Sequence, residues 1–289
     1  MNQKPKARKL ILDLMLASKE NSLSAQQAVM GCNIFGISEN SARVALARLS
    51  SEGMIRVEER GSYSLSDQAH TLADDVAAWR TKEDRLRPWK GEYLGVHCAG
   101  LGRSDRAATR RRARALEMLG FRELKAGLFV RPDNIEKDAA AVEARLRKLG
   151  LDRDAPVFVA GHFDALSEAR IRRLWDCRVL SAVYRKMSEQ LQAWPQEQAD
   201  KPLQLRARDA FLFGGEAIRL LVYDPLLPED LIDGNARKQF FAAAREFDRY
   251  GKSLWQRLYR ESTGMPAPFD DTHHRNKLRS TKLSRSLTR

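Results

Sequence analysis

The stretch from residue 38 to residue 66 limits the possible folds of this chain more than any other, and it reads SENSARVALARLSSEGMIRVEERGSYSLS. Its first half carries apolar residues at the spacing of a helix with one buried face, namely Ala42, Ala45, Leu46 and Leu49. Ser38 is a typical N-terminal cap for this helix, and Gly53 is a typical stop. Residues then alternate around Arg60-Gly61, which predicts two short strands at 54–59 and 62–65.

Two more helices are predicted before this stretch. Ala7–Ala17 is apolar on most sides, as expected of a helix at the centre of a small bundle. Ser24 and Gln27 form a capping-box sequence, which predicts a short second helix that ends near Gly31. Three helices followed by a two-stranded hairpin make a winged helix-turn-helix. A helix of about residues 67–82 is expected to lead out of this first domain.

The rest of the chain divides into a mixed middle part and a helical end. Residues 85–89 are expected to be a linker. The residue pattern of the middle part predicts secondary-structure elements in the order βαββαβ, at 89–98, 104–119, 121–124, 127–131, 135–149 and 156–160. That order is the ferredoxin-like arrangement. From residue 167 the chain reads as helix, with stops at Trp194-Pro195, Lys201-Pro202 and 224–228. We therefore expect an α+β multidomain protein with domains at 1–84, 85–166 and 167–272, followed by a basic tail at 273–289.

Composition and charge set the class of protein. A content of 43% hydrophobic and 31% charged residues is typical of a globular chain. No apolar run of about 18 residues occurs and the basic start lacks a signal peptide's apolar core, so we expect a cytoplasmic protein without a membrane partner. Cys32, Cys98 and Cys177 are far apart, which argues against a disulfide or zinc framework. Of the net charge of +13, the tail supplies six Lys/Arg and no acid, so we expect it to be disordered when free.

The sequence motifs of common enzymes are incomplete here. Residues 99–104, AGLGRS, follow a predicted strand but lack the Lys-Ser/Thr of a P-loop and the third glycine of a dinucleotide fingerprint. His97 and His162 have no metal-ligand spacing. The first middle strand ends at His97-Cys98, without the carboxylate that small nucleases of this fold use there. We expect no catalytic site, no metal and no cofactor.

The side of the 38–51 helix that its apolar stripe does not use predicts a DNA-binding surface. Arg43 can pair with guanine and Asn40 with adenine in a major groove, while the helix N-terminus suits phosphate. The hairpin adds side chains suited to backbone or minor-groove contact, Arg60 foremost. The predicted contact residues are Ser38, Asn40, Ser41, Arg43, Val44, Ala47, Arg48, Arg56, Arg60 and Ser62.

Other interpretations remain open at this point. Winged helices also serve as protein-docking modules. Arginines line one face of the predicted 104–119 helix, at Arg103, Arg106, Arg110 and Arg114, with Arg111 and Arg112 beside them. This row of arginines is typical either of a charged outer helix face or of a surface that binds nucleic acid without sequence preference, as in a nuclease-related protein. An enzyme fused to a DNA-binding domain is a further alternative.

Three stretches resemble one known family. SARVALARLSSEGMIRVEERGSYSLSDQA, residues 41–69, is similar to the N-terminal DNA-binding segment of the phenylacetate-catabolism repressor family, the PaaX-like regulators. Residues 223–231, YDPLLPEDL, resemble a near-signature stretch of that family's C-terminal domain, and residues 89–94, WKGEYL, fit its central ferredoxin-like domain. The order and spacing of the stretches extend the resemblance over nearly the whole chain.

The resemblance implies a dimeric transcriptional regulator, usually a repressor, that leaves its operator when an aryl-coenzyme A thioester binds. The expected partners are double-stranded operator DNA with an inverted repeat, the small-molecule effector, and a second copy of the chain. We expect the effector between the middle and C-terminal domains, with aromatic walls at Trp175, Tyr184 and Trp194. The cations expected to meet its phosphates are Arg172, Arg173 and Arg219.

Overall fold

The structure, a computed structural model, describes residues 5–18, 21–58, 61–67, 76–102, 104–263 and 269. Several predicted features therefore lie outside the described residues: Arg60, Arg103, the basic tail at 273–289 and residues 68–75 of the helix expected at 67–82. Within the described ranges, no helix combines the length and the apolar composition needed to cross a membrane.

The chain is a mixed α+β protein with two small sheets and a helical C-terminal part. Its elements are α1 (Ala7–Ala17), β1 (Ser22–Ser24), α2 (Ala25–Ile34), α3 (Glu39–Ser51), β2 (Ile55–Val57), β3 (Ser62–Leu65), a 3-10 helix (Ala78–Arg85), β4 (Tyr93–His97), α4 (Arg106–Met118), β5 (Arg122–Lys125), β6 (Leu128–Pro132), α5 (Ala139–Leu149), β7 (Val157–Ala160), α6 (Ala165–Arg172), α7 (Cys177–Glu197), α8 (Leu203–Val222) and α9 (Gly234–Thr263). They form two compact units. The first takes its residues from 1–77, 195–214 and 246–289, and the second from 78–194 and 215–245.

The bounds of α1 to α3 are close to those predicted from the sequence, with one correction. The bounds of α1 are those expected, and Ser24 with Gln27 forms the capping box that starts α2. However, α2 continues past Gly31 to Ile34. A Cβ at Gly31 would lie 2.6 Å from Cδ1 of Leu14, so this glycine permits close approach of α1 and α2 and does not end the helix.

The predicted two-stranded hairpin is part of a three-stranded antiparallel sheet. β3 lies in the centre, with β2 on one side and β1 on the other. Tyr63 of β3 is paired with Val57 of β2 and with Leu23 of β1. The strand β1 was missed because it has only three residues, too few to show an alternating pattern.

Aromatic rings from distant parts of the sequence pack together in the first unit. The ring of Phe35, which follows α2, lies 5.8 Å from that of Phe211 in α8 and 6.4 Å from that of Trp255 in α9. The Trp255 indole donates a hydrogen bond to the carbonyl of Ala207 at 2.9 Å, and Tyr259 donates to the carbonyl of Gln27 at 3.0 Å. Parts of α8 and α9 thus pack against the helices that carry α3.

The second sheet belongs to the second unit and has the strand order β5-β6-β4-β7, antiparallel throughout. Its elements follow the βαββαβ order predicted from the sequence. Four of them are shorter than predicted, and β5 and β6 keep their predicted lengths but begin one residue later. The expected linker at 85–89 is not free chain. Leu86 forms a β-bridge with Ile135, and the Arg87 amide donates to the carbonyl of Asn134 at 2.8 Å.

The C-terminal part is helical from Ala165, as expected, but one predicted stop is wrong. Pro195 lies inside α7, which continues to Glu197. Pro195 has no amide hydrogen to donate to the carbonyl of Leu191, but only two helical residues follow it, so little of the helix depends on that bond. The other two predicted stops, at 201–202 and 224–228, do separate α7 from α8 and α8 from α9.

Candidate nucleic-acid interface

One side of helix α3 is polar and exposed, and the other side is buried. The side chains of its apolar stripe are at most 4% exposed, and they are Ala42, Ala45, Leu46 and Leu49. Ser38 caps the helix, since the Ser41 amide donates to the Ser38 hydroxyl oxygen at 3.3 Å. The opposite side is exposed at every predicted contact position: Asn40, Ser41, Arg43, Val44, Ala47 and Arg48. The packing therefore fixes which side chains α3 offers to a partner.

The Arg43 guanidinium is oriented by an acid one turn earlier. Its Nε and Nη2 donate to Oε1 of Glu39 at 2.8 and 2.7 Å, and both side chains are more than half exposed. Exposed pairs of this kind contribute only about 0.3–0.5 kcal/mol, so a base or phosphate can displace the carboxylate at small cost. Arg48 makes no ion pair with a described residue. The face thus offers two guanidinium groups, one of them held in a defined direction.

The sheet next to α3 supplies a smaller set of predicted contacts. Arg56 on β2 is exposed and pairs with Asp67 at 3.1 Å. Ser62 at the start of β3 is half-buried. Val57 is 61% exposed on β2, which leaves an apolar side chain beside the charged ones. Arg60, predicted to grip the DNA backbone, is among the residues that the structure does not describe.

The residues predicted to bind an effector lie in two different environments. Trp175 and Tyr184 are buried, and their polar atoms bond to protein groups: the Trp175 indole donates to the carbonyl of Gly120 at 3.1 Å, and the Tyr184 hydroxyl donates to Asp224. Burial, with the Asp224 carboxylate, raises the pKa of Tyr184 far above its ordinary range. Trp194 is also buried.

The three predicted cations are exposed. Arg172 donates to Glu168 at 2.8 Å and lies 5.5 Å from the centre of the Trp89 ring. Arg173 and Arg219 make no ion pair with a described residue. A cleft of about 570 Å³ lies elsewhere in the second unit, lined by Cys177, Arg178, Ser181, Arg185, Glu229, Leu231, Ile232 and Asp233. None of the six predicted effector residues lines this cleft.

Most of the motif at 223–231 is buried and hydrogen-bonded to other parts of the second unit. Its sequence alone did not indicate this structural role. Its Asp224 accepts from the Tyr184 hydroxyl and, through Oδ1, from the Leu226 amide at 2.8 Å. The Asn134 side-chain amide donates to the carbonyl of Leu226 at 2.8 Å, and Arg237 donates to that of Leu227. The stretch that resembles a family signature therefore stabilises a turn within the second unit.

Lys82 also donates hydrogen bonds to the chain at and just before this motif. It is 5% exposed, and its ammonium group donates to the carbonyls of Leu221, Val222 and Asp224 at 3.2, 2.7 and 2.7 Å. These carbonyls lie at or just past the C-terminal end of α8, where they have no partner within the helix. Burial lowers the pKa of Lys82 from 10.5 to about 7, although the Asp224 carboxylate opposes this shift. In a sequence, such a lysine looks like any surface lysine.

No group of three or more His, Cys, Asp or Glu side chains in the described part of the chain could hold a metal ion. Asp105 caps α4, and the residues after the AGLGRS stretch form that helix. In the described residues this loop is a turn between β4 and α4.

Comparison with known proteins gives two family matches and a structural one. The family model described as PaaX-like protein matches residues 6–69, and the model described as PaaX-like protein C-terminal domain matches residues 175–257. No curated protein matches the chain. The fold is similar to that of the uncharacterized protein Rv0674 from Mycobacterium tuberculosis, with a TM-score of 0.51 and 21% identity over 86% of this chain and 99% of that one.

Proposed function

Because this chain belongs to the PaaX-like protein family, we propose that it is a sequence-specific DNA-binding transcriptional regulator and not an enzyme. The observation that carries the proposal is the exposed polar face of α3. A buried stripe and an N-terminal cap hold this face in place, and it presents an amide, a hydroxyl and two guanidinium groups in the first three turns. Residues at these positions of a recognition helix reach base edges in a major groove.

The element order supports a specific fold for each part. Three helices with a small antiparallel sheet at 7–65 fit a winged helix-turn-helix, in which α3 is the recognition helix and β2 and β3 form the wing. The strand order β5-β6-β4-β7, together with the order βαββαβ, fits a ferredoxin-like domain. We assign these two folds to residues 1–84 and 85–166, and a helical domain to 167–272.

The regulator is proposed to act as a dimer whose grip on DNA depends on a ligand. One recognition helix reads too few base pairs to be specific in a genome, so two copies on an inverted repeat are required, with half-site centres about 10 base pairs or a multiple apart. An aryl- or acyl-coenzyme A thioester is the proposed ligand class. A coupling of about 1–3 kcal/mol would change operator affinity roughly 5–150-fold.

The decisive experiment replaces Arg43. Footprinting on the DNA upstream of the gene defines the operator, and gel shifts then compare that duplex with a scrambled one. Arg43→Ala should cost about 1–3 kcal/mol on the operator and relax preference at one base pair, because a bidentate contact to guanine is lost.

Arg8→Ala is the matched control. Arg8 lies on α1, is exposed, pairs with Glu52, and its loss removes the same charge. It should leave the ratio of operator to scrambled binding unchanged. If Arg43→Ala keeps the wild-type ratio, α3 does not read bases through this residue and the proposed function loses its support.

A further inference from the structure

Three arginines of α4 lie four residues apart and form a row along one side of the helix. On several other helices an arginine pairs with an acid one turn away, as in Arg43–Glu39, Arg147–Glu143, Arg172–Glu168 and Arg257–Glu261, although single cations such as Arg48 have no such partner among the described residues. On α4, Arg106 and Arg110 are exposed and Arg114 is half-buried, and none of the three makes an ion pair or a side-chain hydrogen bond with a described residue. We name these three the arginine ridge.

Arg112, grouped with these arginines from the sequence, does not belong to the ridge. It is 7% exposed, lies 2.8 Å from the Asp152 carboxylate and donates to the carbonyl of Gly102 at 3.1 Å. Its role is therefore to hold the start of α4 in place. Arg111 packs its stem near Gly150, where an added Cβ would lie 3.2 Å from Cβ of Arg111.

The charge order of α4 opposes the stability of the helix itself. The ridge begins at the first helical residue, and the first turn within the helix contains no acid, whereas Glu117 lies in the last turn. The N-cap residue Asp105 places one carboxylate at the N-terminal end, against the three arginines of the ridge. Cations near an N-terminus and acids near a C-terminus both oppose the helix dipole, and like charges four residues apart destabilise a helix by about 0.2–0.5 kcal/mol per pair. Local folding thus gives no reason for the ridge, but binding to a polyanion does.

We propose that the arginine ridge is a second DNA-contact surface, which binds phosphates of duplex DNA without reading bases. Residues four apart on one helix are displaced by about 6 Å, so the ridge extends over about 12 Å. A DNA strand carries a phosphate every 3.4 Å or so along the axis, so this length covers about three to four phosphates. A coenzyme needs a concave site, whereas the ridge is a linear array on an outward helix face. The inference rests on the proposed function, since it takes DNA as the partner.

The test is the salt dependence of DNA binding by Arg106→Gln, Arg110→Gln and Arg114→Gln combined. Glutamine keeps a high helix propensity, and far-UV circular dichroism should show an unchanged fold. Each phosphate contact contributes about 0.9 to the slope of log K against log salt, so the slope should fall by about 2–3 on operator and scrambled DNA alike.

The matched control removes three charges elsewhere in the second unit, by Lys137→Gln, Arg153→Gln and Lys186→Gln. All three side chains are exposed and make no ion pair with a described residue. The control should change the slope by less than about one. An equal change in the control would show a bulk-charge effect and overturn the proposal, as would an unchanged slope in the ridge variant. Loss of acyl-coenzyme A binding with an unchanged DNA slope would also overturn it.

The same measurements separate this inference from the proposed function. If wild type binds operator and scrambled DNA equally, the proposed sequence-specific function fails, and a lower slope in the ridge variant still supports the ridge. If wild type prefers its operator and the ridge variant keeps the full slope, the ridge alone is refuted.

Discussion

Replacing Lys82 with Met should destabilise the protein. Methionine fills a similar volume but donates no hydrogen bond, so the carbonyls of Val222 and Asp224 lose their donor inside the fold, whereas that of Leu221 keeps the Asp224 amide at 3.2 Å. A buried polar group left without a partner costs about 1–3 kcal/mol, and the variant no longer has to bury an ammonium group, which offsets part of this loss. Because two carbonyls lose their donor and the offset is partial, we expect a net loss of about 1–3 kcal/mol in the free energy of unfolding.

The pH dependence of stability tests the same group independently. Burial lowers the pKa of Lys82 from 10.5 to about 7, so the folded protein holds this proton less tightly than the unfolded chain. Protonation then favours the unfolded chain, and the contribution of Lys82 to stability rises as pH increases from about 7 towards 10.5. Between pH 7 and about pH 9 the gain is about 2 kcal/mol, because the group is already half titrated at pH 7.

Urea unfolding followed by far-UV circular dichroism, at both pH values, measures both effects. Lys186→Met is the control, since Lys186 is an exposed lysine on α7. Wild type should gain about 2 kcal/mol more than Lys82→Met on going to the higher pH. A loss below about 1 kcal/mol in Lys82→Met would show that the carbonyls find other partners. Equal pH dependence in wild type and variant would refute the low pKa.

Two substitutions test the packing around the two candidate surfaces. Gly120→Ala should lower the free energy of unfolding by more than about 3 kcal/mol, because φ is +74° and a Cβ would lie 2.6 Å from Cα of Pro225. Gly215→Ala is the control, because nothing lies within 4 Å of its added Cβ, and thermal unfolding should show it to be neutral or stabilising. Equal effects of the two glycine substitutions would refute the steric argument. Ser24→Ala should cost about 1 kcal/mol, because the Gln27 amide loses its cap, and amide hydrogen exchange at the start of α2 should speed up. Unchanged exchange there would mean that the cap adds nothing.

The features that the sequence predicted correctly are those that depend on near neighbours in the chain. The bounds of α1, the capping box at Ser24 and the buried stripe of α3 follow from caps and from a period of 3.6 residues, which one segment displays by itself. The exposure of Asn40, Arg43 and Arg48 follows from the same stripe. The composition of the α3 surface was therefore determined by sequence alone, although its role in DNA binding stays a prediction.

Tertiary structure decided the features whose partners are far away in sequence. A three-residue strand such as β1 forms only because β3 offers it hydrogen bonds, and Gly31 is a packing contact only because Leu14 lies against it. Lys82 is buried because carbonyls about 140 residues later accept all three of its protons. The residues next to a lysine in the sequence do not indicate that it is buried. The groups that exclude water from its ammonium group and the carbonyls that accept its hydrogen bonds are brought together only by the fold.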